Sequence, residues 1–171
     1  MAVDVDEAGA GVSCVPTFAA WALPTSRSTV SRARALVGEG LAGRGFAGEA
    51  LAEGELMACE LVTNAVRHAY PPFELRLHVT GKGIVVCEVV DGLQTLPPIP
   101  AGSSPNVTPE LSLNDIDTLD IDQLEGGRGL DVVARLSGNR LGACPTRTCT
   151  TTPAADAKAV WFALATTAAG V

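Results

Sequence analysis

The chain has 171 residues, 47% hydrophobic and 18% charged, a globular composition at about the length of one domain. Twelve Lys and Arg against nineteen Asp and Glu leave a net charge of −7, without the cationic excess of a general nucleic-acid binder, and aromatics at 4% offer little for base stacking. No apolar run approaches the ~18 residues of a membrane span, the five cysteines form no CxxC pair, and the acidic start Met1 to Gly11 has the wrong charge for a signal peptide. The expectation is a cytoplasmic protein that engages neither membrane nor nucleic acid directly and has no zinc or disulfide framework. Acidic ligands such as nucleotides remain open to it through a local site.

In chain order, residues 1–15 are small and acidic and read as a disordered tail, ahead of a single domain over 16–171. Thr17 to Leu23 reads as a short strand. Pro24 and then Ser26 or Ser28 as N-cap open a helix whose Val30, Ala33, Val37 and Leu41 recur at helical spacing up to about Gly43. A second helix runs from about Glu49 to Ala69 and stops at Tyr70-Pro71-Pro72. Phe73, Leu75, Leu77 and Val79 then alternate with Glu74, Arg76, His78 and Thr80, the pattern of a half-buried strand. After a turn at Gly81-Lys82-Gly83, Ile84 to Val90 forms its antiparallel hairpin partner.

The composition then changes. Residues 93–125 hold five of the 11 prolines and no Lys or Arg, with six acidic residues between Glu110 and Glu125, so the segment is either a functional lid or a disordered insertion. Gly126-Gly127-Arg128-Gly129-Leu130 opens a third helix that ends near Ser137-Gly138. A strand over Asn139 to Cys144, a loop over Pro145 to Ala157 and a closing strand over Ala159 to Ala165 complete the order. Helices segregated from mostly antiparallel strands predict an α+β fold, a two-layer sandwich with a mixed, mostly antiparallel sheet and helices on one face.

Three features carry chemistry. The second helix is apolar over most of its circumference and therefore expected to be largely buried, yet Glu60, Asn64 and His68 recur at i, i+4 and i+8 as one polar stripe. A carboxylate and an amide kept one turn apart on such a helix need partners, either a ligand or internal hydrogen bonds. Asp91 closes an otherwise apolar strand and is followed by Gly92; it can cap a turn or accept a hydrogen bond from an exocyclic amino group. Gly126, Gly127 and Gly129 at a helix start let backbone N–H groups approach a phosphate, although the lysine of a phosphate-binding loop is absent.

In this order, the stripe Glu60-Leu-Val-Thr-Asn64-Ala-Val-Arg-His68-Ala, then Val89-Val90-Asp91-Gly92, then Glu125-Gly-Gly127-Arg-Gly129-Leu130, then Lys158-Ala-Val-Trp161-Phe162 resemble the motifs of the GHKL ATPases. These have the histidine-kinase-like, or Bergerat, ATP-binding fold, and the chain looks most similar to the small anti-sigma-factor-type serine protein kinases of actinobacterial type. The resemblance implies ATP and Mg²⁺ as cofactors. It implies Glu60 as general base, Asn64 as the metal ligand, His68 as a further site residue and Asp91 as acceptor for the adenine amino group. The backbone of Gly127, Arg128, Gly129 and Leu130 would hold phosphates. A sigma factor or an anti-anti-sigma (STAS-type) protein would be the partner, and a homodimer is possible. Leu93 and Thr95 stand where the family commonly has glycines, and Ala159 where it often has a threonine beside the adenine. Two functions therefore stand open: a kinase that phosphorylates an anti-anti-sigma-type partner, and a non-catalytic interaction module with a degenerate nucleotide site.

Overall fold

The computed structural model describes residues 17–80, 83–103 and 129–165. Its elements follow the expected order: β1 (Thr17–Leu23), α1 (Thr29–Ala42), α2 (Gly48–His68), β2 (Phe73–Val79), β3 (Ile84–Asp91), α3 (Gly129–Leu136), β4 (Leu141–Arg147) and β5 (Asp156–Ala165). The strands form one five-stranded sheet in the order β1-β2-β3-β5-β4, and each of its ladders is antiparallel. The disordered tail expected over 1–15, residues 104–125 of the segment 93–125, and Gly126 to Arg128 lie outside the described residues.

The helices form the second layer. α1 packs on α2 and against β1 and β2, and α2 packs on β3, β5 and α3. Their apolar stripes meet one face of the sheet, where Leu36, Val37, Met57, Leu61, Leu75, Cys87 and Phe162 share a single core. Ordinary burial of such side chains contributes roughly 1.5–3 kcal/mol each. Ser28, one of the two residues expected at the N-cap of α1, occupies it, but without a side-chain cap bond. The turn is tied instead by the buried Thr29, whose Oγ1 lies 2.5 Å from the Pro24 carbonyl and 2.6 Å from that of Ser26. α2 is less enclosed than its composition suggests, since Leu56 and Val66 stand on an outward stripe and are more than two-fifths exposed.

The larger correction is on the far face of the sheet. β2 is buried on both sides, with Glu74 0%, Arg76 8% and His78 9% exposed. The cause is the segment after β4, which folds over this face. The Glu74 carboxylate accepts from the backbone N–H of Cys149 at 3.0 Å, from Thr150 N–H at 2.8 Å and from Thr150 Oγ1 at 2.7 Å. Arg76 completes the set, donating to Glu74 at 2.8 Å and to the Arg147 carbonyl at 2.5 Å. Burial pulls the Glu74 carboxyl upward, but the bonds from Thr150 and the Arg76 guanidinium outweigh it and hold it below the ordinary carboxylate range. His78 has no such set: its Nε2 is buried without a hydrogen bond, 3.5 Å from Glu88.

The predicted loop over 145–157 is shorter than its Pro and Thr content implies. β4 continues through Pro145 to Arg147, paired with Lys158 to Asp156 of β5, so the connection spans only 148–155. β4 is the edge of the sheet, where a proline costs no ladder bond if its nitrogen faces outward.

Candidate functional site

The polar stripe of α2 faces the C-terminal end of β3 across a cavity of about 400 Å³. Asn64 and His68 line it from the helix, Asp91 from the strand, and Leu130 from α3. Its walls are largely apolar, from Leu61, Ala65, Val89 and Val160, a form suited to a flat heteroaromatic ring with one polar edge. Leu93 and Thr95 line the same space, as does the Leu96-Pro97-Pro98 run that follows β3.

Glu60 stands one turn before Asn64, not in the cavity wall but at the α2–α3 contact. Gly129 reveals how close the two helices come there. A Cβ on Gly129 would lie 2.7 Å from Glu60 Oε2 and 3.2 Å from Asn64 Nδ2, so only glycine leaves both side chains where they are. The structure thus gathers Glu60, Asn64, His68, Asp91, Gly129 and Leu130 around one region. Gly127 and Arg128 lie outside the described residues.

Asp91 is 2% exposed, and both of its hydrogen bonds among the described residues fall on one oxygen. Oδ1 accepts from the Leu93 backbone N–H at 2.9 Å, a turn-capping bond, and from Lys158 Nζ at 2.5 Å. Lys158 is itself 5% exposed and lines the cavity. Sequence reasoning placed Lys158 in the closing strand but missed its role. The signal lay in the period-two rule: Lys158 shares a strand face with Val160 and Phe162, and its register partner is Asp91. The same rule corrects the expectation for Ala159. That residue points to the opposite face, among Val90 and Ala157, so the absence of a hydroxyl there removes nothing from the cavity.

Gly92 fixes the approach of the next segment. Its N–H donates to the Tyr70 carbonyl at 2.8 Å, and a Cβ there would lie 2.7 Å from the Pro71 carbonyl oxygen. The end of α2 and the end of β3 are thereby clamped together, which sets the distance between His68 and Asp91 across the cavity mouth.

The donor set fits a nucleotide with a hard cation. The Asn64 amide oxygen is the kind of ligand Mg²⁺ takes alongside phosphate oxygens and water. Among the described residues no group of three or more His, Cys, Asp or Glu side chains could hold a metal ion, so a cation here would draw the rest of its shell from a bound ligand. No helix among the described residues is long and apolar enough to cross a membrane.

Among known families, one described as "Histidine kinase-like ATPase domain" matches residues 23–139, from the end of β1 to just past α3. No curated protein matches the chain.

Proposed function

The chain belongs to the histidine kinase-like ATPase domain family, a membership that carries ATP binding, and from that premise we propose that it is a regulatory protein serine/threonine kinase of the anti-sigma-factor type. Its substrate would be a serine on an anti-anti-sigma (STAS-type) partner, and a sigma factor its second partner. The observation that supports catalysis is the Glu60–Asn64–Gly129 contact: a carboxylate and an amide sit one turn apart, against a glycine that leaves them room.

Each residue then has a task. Asp91 accepts a hydrogen bond from the base, and the apolar walls exclude water around it. The Asn64 amide oxygen would hold the cation. Mg-ATP, when bound, supplies the γ-phosphoryl group and the positive charge that balances the triphosphate. Glu60 takes the proton from the serine hydroxyl while the serine oxygen bonds to the γ-phosphorus and the bond to the β-phosphate oxygen breaks, releasing ADP. The lack of a side chain at Gly129 leaves the Glu60 carboxylate its place beside Asn64 for that transfer.

A second reading has one observation in its favour. Lys158 already holds Asp91 in a buried ion pair, which a non-catalytic interaction module with a degenerate site would also contain. Glu60→Gln separates the two. A kinase loses phosphotransfer by ~10²–10⁴-fold in this variant while keeping nucleotide affinity. Partner binding without phosphotransfer in the wild type, unchanged in Glu60→Gln, establishes the interaction module instead.

A further inference from the structure

We propose that Lys158 is a specificity-determining residue of the nucleotide site, donating a hydrogen bond to the ring nitrogen N1 of adenine while Asp91 accepts from the amino group beside it. The inference rests on the nucleotide-binding reading above and deepens it. It starts from counting donors and acceptors at the two buried groups. A carboxylate oxygen offers two lone pairs, and an ammonium offers three N–H donors. Asp91 Oδ1 is fully engaged, by Leu93 N–H at 2.9 Å and by Lys158 Nζ at 2.5 Å. Oδ2 has no partner among the described residues, and Lys158 has one bond, to Asp91, with two N–H donors in hand.

The pair therefore presents one acceptor beside one donor to a cavity that both residues line. The Watson–Crick edge of adenine carries the complement, the N6 amino donor next to the N1 acceptor. In the same pose guanine presents the reverse pair, an O6 acceptor against the Asp91 carboxylate and an N1–H donor against the Lys158 ammonium. Both guanine groups then meet a like partner in a nearly dry site, at the cost of unmade buried hydrogen bonds. Lys158 thus has two roles: it supplies the donor for adenine N1, and it leaves guanine N1–H without an acceptor. The residue is rigid for this purpose because it is 5% exposed and anchored at a register position opposite Asp91.

Calorimetry on the full chain with ADP, 1-deaza-ADP, 7-deaza-ADP and GDP tests the assignment. 1-Deaza-ADP lacks only the N1 acceptor, and 7-deaza-ADP lacks an acceptor on the other side of the ring. The wild type is expected to bind ADP and 7-deaza-ADP alike, and both 1-deaza-ADP and GDP about tenfold or more weakly, as for one charged hydrogen bond. Lys158→Met is expected to bind ADP and 1-deaza-ADP with equal affinity. Equal binding of ADP and 1-deaza-ADP by the wild type overturns the proposal, and this comparison needs no variant to fold. GDP binding as tight as ADP, or a preference for ADP over 1-deaza-ADP that survives in Lys158→Met, also overturns it. Failure of the wild type to bind any of the four overturns the nucleotide reading itself, whereas nucleotide binding without N1 discrimination overturns only the role of Lys158.

Discussion

Asp91, Glu60 and Gly129 each answer to a different physical constraint, and their variants separate accordingly. Asp91 is buried and acts as an acceptor. Asp91→Asn removes the charge that Lys158 and the base both use, and is expected to weaken ATP binding by about 1.5–3 kcal/mol, measured by calorimetry. Asn64→Ala removes the amide proposed to hold the cation, so it is expected to lose the Mg²⁺-dependent part of binding together with activity. Gly129→Ala places a methyl group 2.7 Å from Glu60 Oε2, and the flexible end of that side chain gives way. The fold is therefore expected to survive, while phosphotransfer falls on the order of 10²-fold because the carboxylate no longer stands where it is needed. A Gly129→Ala protein with wild-type turnover would show that Glu60 is not positioned by this contact.

Among the elements, β2 holds the most distinctive energetics. Its alternation led to the expectation of one wet face, because a sequence shows which residues share a face but not what later folds over it. The 148–155 segment was legible as a turn-rich stretch, and nothing local to it indicated that Glu74, seventy-five residues earlier than Cys149, would hold its backbone. Glu74→Ala is expected to lower unfolding free energy by about 3–5 kcal/mol, since it leaves a buried guanidinium and two backbone donors without their carboxylate. Two pH effects follow from the same strand. The Glu74 carboxyl is lowered on folding, so its contribution is present at neutral pH and is lost as pH falls below the ordinary carboxylate range. Burial lowers the His78 imidazole, against the pull of nearby Glu88 and with the push of Arg76. The folded state then binds fewer protons at this site than the unfolded one, and stability falls as pH drops through the ordinary histidine value of about 6.5. Denaturant melts between pH 8 and pH 3 are expected to show both losses, and His78→Phe to remove the one nearer neutrality while leaving the acidic one. A flat profile between pH 8 and pH 5 in the wild type contradicts the assignment to His78.

For the whole molecule, element order and the grouping of the site were legible because each rests on a local pattern: helical spacing in α1 and α2, alternation in β2, an apolar run ending in Asp91, and glycines before α3. Register across the sheet was not, and it decides which closing-strand residue meets Asp91. The sequence motif pointed to Ala159, whereas the β3–β5 pairing places Lys158 there. The segment after β3 connects the site to the rest of the chain, since Leu93, Thr95 and the Leu96-Pro97-Pro98 run line the cavity. Amides within residues 93–103 are expected to slow in hydrogen exchange when Mg-ATP binds, and unchanged exchange there would show that this wall takes no part in holding the ligand.

The proposed function requires the cavity between α2 and β3 to bind ATP through Asp91 and a cation held at Asn64. Titration of the purified chain with ATP, with and without Mg²⁺, tests it most directly. Saturable one-site binding is expected, strengthened by Mg²⁺, weakened by Asp91→Asn in both conditions and made insensitive to Mg²⁺ by Asn64→Ala. No binding at millimolar ATP, or binding unaffected by Mg²⁺ and by both substitutions, would contradict it.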